Sequence, residues 1–177
     1  WQTGNFVCVG LDSDYSQIPG FLKKMDLPIV ETMFEFNQRI IAATYDLVCA
    51  YKPNAAFYEA QGDQGLRALA KTVRYIKSAH PNIPVILDAK RADIGNTNNG
   101  YVQAAFDELG VDAITVHPYL GKEALKPFLD RKDKGIIVLV RTSNPGAGEF
   151  QDLSVGDGDD REPLYKVIAR HVAKSWN

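Results

Sequence analysis

Cysteine is scarce: Cys8 and Cys49 are the only two in 177 residues, with no Cys-x-x-Cys and no metal-ligand spacing. A disulfide-stapled scaffold and a zinc module are therefore excluded as organising devices. Each cysteine lies in an apolar, strand-like run, which predicts two buried thiols in a reducing compartment. No apolar run approaches the roughly 20 residues of a membrane span. No basic-then-apolar leader opens the chain, which begins at Trp1, so the expectation is a cytoplasmic protein without a membrane partner. Charge of one sign is missing too. Twenty Lys and Arg stand against 22 Asp and Glu, a formal net charge of -2, which gives no general attraction for nucleic acid or an anionic membrane. A phosphorylated small molecule stays possible, since local lysines and backbone amides bind one regardless of net charge. Low-complexity linkers, internal repeats and a Gly-x-Gly-x-x-Gly turn after the first strand are absent as well.

With 45% hydrophobic and 24% charged residues, the chain has the composition of an ordinary globular domain with a substantial core. Apolar runs predict five strands, at residues 6–12, 47–54, 85–87, 113–118 and 135–143. Helical spacing predicts helices over 29–46 (Val30, Met33, Phe34, Ile41, Tyr45), 65–79 (Leu66, Leu69, Ala70, Val73, Ile76), 96–109, 122–132 and 164–172. Residues 144–148 read as a mobile, turn-rich segment continuing into the acidic stretch 156–160. That stretch lacks the distal bidentate Glu of a calcium loop and reads as a solvated surface loop.

Continuous apolar strands alternating with helices predict an α/β fold with a parallel sheet. The strands end in Asp12, Lys52, Asp88 with Lys90, His117 and Ser143. Polar carboxyl ends on apolar strands are the pattern of the (β/α)8 TIM barrel. A doubly wound sheet, the alternative, would concentrate chemistry at one switch point. A complete barrel takes about 250 residues and eight strands, and only about five β/α units are found. The expectation is a single barrel domain, 1–177, truncated before its last strands.

The densest chemistry lies in Asp88-Ala89-Lys90-Arg91-Ala92-Asp93. Alternation along a strand predicts that Asp88 and Lys90 project to one side, with Asp93 three residues further on. Two carboxylates beside a lysine favour its protonated form. A structural ion pair is the plain alternative for Asp-x-Lys alone. Asp12 on pattern alone reads as a cap for the following turn. His117 at a strand end reads as a positioning or packing residue rather than an acid–base group.

The string Asp88 to Thr97, Asp-x-Lys-x-x-Asp followed by Ile-Gly-Asn-Thr, resembles the active-site signature of the orotidine 5'-monophosphate decarboxylase family. Thr142-Ser143-Asn144-Pro145-Gly146 is similar to the bacterial longer-chain branch, and the likeness runs through essentially the whole chain. The resemblance implies conversion of orotidine 5'-monophosphate to uridine 5'-monophosphate in pyrimidine biosynthesis, without cofactor or metal. It implies that Lys52, Asp88 and Lys90 are three members of a charged catalytic tetrad. Asp93 would be the fourth, reaching the neighbouring subunit's site in a homodimer. Asp12 would lie near the ribose, Ile94 and Thr97 would flank the site (Thr97 across the interface), and Ser143 would contact the pyrimidine. The family's phosphate grip on the last two strands has no counterpart before Asn177, so the 177 residues alone are expected to be inactive or nearly so. Alternatives are a related magnesium-dependent keto-sugar-phosphate decarboxylase or synthase, an aldolase forming a Schiff base on Lys90, and an inactive nucleotide-binding fragment. The magnesium enzymes would be expected to carry a carboxylate where Lys52 stands.

Overall fold

Val7–Leu11 forms β1 and pairs in parallel with β2, Val48–Pro53, in a register running from Val7 opposite Val48 to Leu11 opposite Pro53. Val and Tyr favour extended backbone, and β2 stops at Pro53, which has no N–H for a further ladder bond. Parallel bridges Tyr51–Val85 and Asn54–Asp88 join β2 to β3, Ile86–Arg91. β4, Ala113–Val116, and β5, Gly135–Val138, complete a sheet in the order β3-β4-β5. The helices are α1 Gly20–Lys23, α2 Ile29–Thr44, α3 Ala55–Glu59, α4 Gly62–Ala79, α5 Gly95–Val102, α6 Gly121–Leu129, α7 Gly148–Gln151 and α8 Leu164–His171. The computed structural model describes residues 4–158 and 161–176, so Asp159 and Asp160 of the acidic stretch lie outside the described residues.

The described residues fall into two compact units, one running to Ala89 and including Gln103–Ile114, the other comprising Lys90–Val102 and the residues from Thr115 onward. In the first unit α2 and α3 both pack on α4, over a core that includes Leu11, Met33, Ile41, Tyr58, Val73 and Ile76. A Cβ on Gly65 would stand 1.9 Å from the Tyr58 carbonyl oxygen, so α3 and α4 approach at a distance that only glycine permits. Asp112 ties α4 to the start of the third strand: its carboxylate accepts from Lys77 Nζ at 2.6 Å and from Val85 N–H at 2.8 Å. In the second unit α5 packs on α6, with Val116, Leu125 and Phe128 fully buried.

Several sequence expectations are corrected. Cys8 is exposed and Cys49 half-buried, both as free thiols. Among the described residues β1 pairs only with β2, and Val7 beside Cys8 is exposed as well. Residues 144–160 are not a bare loop. They carry a 3₁₀ turn at Pro145–Ala147, α7, and β6, Ser154–Val155, which pairs antiparallel with β7, Glu162–Pro163. The fifth strand ends at Val138, well before Ser143. The helix expected over 96–109 is α5 followed by π-helical turns at Gln103–Glu108; similar turns at Val172–Trp176 follow α8. Tyr45 and Leu66, assigned to buried helix faces, are exposed; Tyr45 instead stacks on His80 at 4.6 Å.

Candidate active site

The first unit brings Lys52 and Asp88 together. The Asn54–Asp88 bridge sets β2 and β3 side by side, and Lys52 Nζ donates to Asp88 Oδ2 at 2.7 Å. The Asp88 side chain is 11% accessible and that of Lys52 33%. An ammonium at this distance offsets part of the cost of withdrawing a carboxylate from water.

Asp12 lies exposed just past β1, and a Cβ on Gly10 would stand 3.4 Å from its Oδ1. The capping role expected of Asp12 falls instead to Asp14, whose Oδ1 accepts from Ser16 N–H at 2.9 Å and Ser16 Oγ at 2.7 Å. Beneath Asp12 runs a buried polar network. Tyr58 Oη donates to the Leu11 carbonyl at 2.9 Å, and Asn37 Nδ2 donates to Tyr58 Oη at 3.0 Å and to Thr72 Oγ1 at 2.9 Å. Ser13 Oγ donates to Asn37 Oδ1. Burial pushes the Tyr58 hydroxyl up to about 12, against the hydrogen bonds with Ser13 and Asn37 that favour its ionised form. The network fixes the turn on which Asp12 sits. The sequence gives no local signal for it, because Asn37 hides in an amphipathic helix and Tyr58 in a helix that periodicity does not reveal.

In the second unit, Lys90 is exposed and has φ +49°, one of two non-glycine residues in the left-handed region among the described residues. Its N–H donates to Thr115 Oγ1 at 2.9 Å. Lys90 thus departs from regular strand backbone within β3, which the expectation of simple alternation did not include. Asp93 is half-buried and held through its backbone by Asn98. Asp93 N–H donates to Asn98 Oδ1 at 2.9 Å, and Asn98 Nδ2 donates to the Asp93 and Ala124 carbonyls, each at 2.6 Å. The Asp93 carboxylate accepts from Ile94 N–H at 2.6 Å. Ile94 is 63% exposed, and Thr97, on the first turn of α5, is exposed as well. Thr115 and Asn98 are the residues that pattern reasoning missed; both are buried polar side chains without a charge motif to mark them.

Ser143 sits exposed beside Thr142, whose N–H donates to Gln151 Oε1 at 2.8 Å while Gln151 Nε2 donates back to Thr142 Oγ1 at 2.9 Å. Arg141 grips Asp152 with two bonds, at 2.7 and 2.9 Å. Within the same unit an apolar cavity of about 650 Å³ is lined by His117, Tyr119, Leu139, Thr142, Phe150 and Ile168. His117 Nδ1 accepts from Tyr119 N–H at 3.4 Å. Among the described residues no group of three or more His, Cys, Asp or Glu is placed to hold a metal ion, and no helix is long and apolar enough to cross a membrane.

Strands in sequential order, separated by helices, with Asp12, Lys52 and Asp88 at the carboxyl ends of the first three, define an α/β protein of the (β/α)-barrel class, with five β/α units among the described residues. Comparison with known proteins narrows this. The model of the orotidine 5'-phosphate decarboxylase / HUMPS family matches residues 5–175, and the chain belongs to that family. It is 54% identical over 171 residues to an orotidine 5'-phosphate decarboxylase of Herpetosiphon aurantiacus, covering 97% of this chain and 60% of that protein. It is 52% identical over 176 residues to that of Thermomicrobium roseum, covering 99% and 59%. Among solved structures, it is similar to the UMP synthase of Leishmania donovani, with TM-score 0.85, 37% identity and coverage of 99% of this chain and 35% of that one. The OMP decarboxylase of the same organism gives TM-score 0.81 and 38% identity, covering 96% and 60%. The chain thus spans about 60% of the length of the curated relatives it matches.

Proposed function

We propose that this chain supplies the catalytic lysine and its charged neighbours to an orotidine 5'-monophosphate decarboxylase of pyrimidine biosynthesis. The observation that carries the reading is the Lys52–Asp88 ion pair at adjoining strand ends, two residues before Lys90 in a chain of this family. In the proposed reaction the bond from pyrimidine C6 to the carboxylate carbon breaks, carbon dioxide leaves, and the electron pair stays on C6. No conjugated sink is available to that pair, so catalysis depends on positive charge placed where the negative charge develops. Lys90 as an ammonium stabilises the carbanion and then gives it a proton, regaining one from water. Asp88 crowds the departing carboxylate, Asp88 and Asp93 keep Lys90 charged, and Lys52 balances Asp88 and tethers the ribose. Asp12 contacts the ribose, Ile94 and Thr97 flank the substrate, and Ser143 meets the pyrimidine. None of these roles calls on a cofactor.

The proposal includes a cytoplasmic homodimer in which Asp93 and Thr97 serve the partner's site; the exposure of Ile94 and Thr97 supports an interface there. The magnesium-dependent alternative wants a carboxylate where this chain has Lys52, and Lys52 here neutralises Asp88 instead. Conversion of orotidine 5'-monophosphate to uridine 5'-monophosphate by the full-length polypeptide, without added metal, tests the reading; turnover of a keto-sugar phosphate in its place refutes it.

A further inference from the structure

Lys90 adopts a backbone conformation that L-residues with long side chains rarely take. A left-handed residue brings its Cβ against the following carbonyl oxygen, and lysine has no short polar side chain to compensate locally. Such a conformation persists only where the surroundings impose it. The surroundings here include one buried hydroxyl: Thr115 on β4 is 6% exposed, and its Oγ1 accepts the Lys90 N–H at 2.9 Å. That N–H lies just where the left-handed turn redirects the chain. An extended Lys90 would point its side chain along the strand's alternation; at φ +49° the side chain leaves the backbone in a different direction.

We infer that Thr115 is a positioning residue for the decarboxylation, its hydroxyl holding the Lys90 backbone left-handed and so aiming the ammonium. The inference rests on the proposed proton-donor role of Lys90. Thr115 touches no reacting atom; it acts through the Lys90 amide. Valine fills nearly the same volume on a strand but offers no acceptor, so Thr115→Val frees the amide with little change in packing. Serine keeps the acceptor.

Two measurements on wild type, Thr115→Val and Thr115→Ser test this. Amide hydrogen exchange on the 177-residue chain reads the Lys90 N–H, and steady-state kinetics with orotidine 5'-monophosphate on the full-length polypeptide reads its consequence. Thr115→Val is expected to strip protection from the Lys90 amide and lower kcat about 10- to 100-fold with KM little changed, the scale expected when a reacting group is misplaced by about 1 Å. Thr115→Ser is expected to retain both. An unaltered Lys90 amide in Thr115→Val overturns the inference. So does loss of protection with kcat unchanged, or an equal fall in kcat in Thr115→Ser. Wild type without any turnover overturns the functional reading and the catalytic half of the inference together, while the amide measurement still decides whether Thr115 holds Lys90.

Discussion

Lys52→Met removes the ammonium that meets Asp88 at 2.7 Å while keeping most of the aliphatic stem. Exposed ion pairs contribute about 0.2–1 kcal/mol, whereas removing one partner of a buried pair costs about 3–5 kcal/mol. With 11% of the Asp88 side chain and 33% of the Lys52 side chain accessible, the case is intermediate. The expected loss is about 2 kcal/mol, because a nearly buried carboxylate loses the ammonium that meets it at 2.7 Å. Asp88→Asn is milder, about 1 kcal/mol, since the ammonium retains access to water. The double variant removes the charge as well as its partner and loses only about 1 kcal/mol, which makes the coupling about 2 kcal/mol. Urea denaturation followed by far-ultraviolet circular dichroism measures all three. High salt reduces the coupling only partly, because a pair half withdrawn from water is weakly screened. A coupling below about 0.3 kcal/mol, the level of independent sites, would show that the two strand ends do not interact and would remove the electrostatic basis assigned to the site.

Tyr58 gives a pH prediction. Its hydroxyl titrates near 12 in the folded chain and near 10 when unfolded, so both states are protonated below pH 10. Between pH 10 and 12 the unfolded chain ionises and the folded chain does not, so stability falls by up to about 1.4 kcal/mol per pH unit. Tyr58→Phe, though less stable at pH 7, lacks this component; an identical slope in the two proteins contradicts the assignment. Gly65→Ala forces a Cβ to 1.9 Å from the Tyr58 carbonyl oxygen, and a loss of about 2–3 kcal/mol is expected from overpacking; a neutral result in the same denaturation assay refutes the close approach of α3 and α4.

Strands β1 to β5 are legible in the sequence as apolar runs, and helices α2, α4 and α8 by their apolar period, while the short β6 and β7 are not. The short α1 and α3 are not, since four or five residues are too few to show one, and Pro53 argues for a break where α3 follows almost at once. Cys8 misleads because an apolar run signals a strand without revealing whether a neighbour covers it. At the site, the charges at Lys52, Asp88, Lys90 and Asp93 stand out in the sequence, and the structure pairs the first two. Their supports do not stand out. Thr115 and Asn98 work through backbone amides and carbonyls, and which side chain meets which backbone group depends on elements far apart in the chain. The left-handed Lys90 is equally invisible, because residue type there argues against it.

The account turns on a proton passing from Lys90 to pyrimidine C6. The most direct measurement compares the full-length wild type with Lys90→Ala, following decarboxylation of orotidine 5'-monophosphate in deuterated water and the deuterium content at C6 of the product. Wild type is expected to yield uridine 5'-monophosphate labelled at C6. Lys90→Ala is expected to lose turnover by about a thousandfold or more while still binding uridine 5'-monophosphate. Turnover in Lys90→Ala within tenfold of wild type would contradict the account.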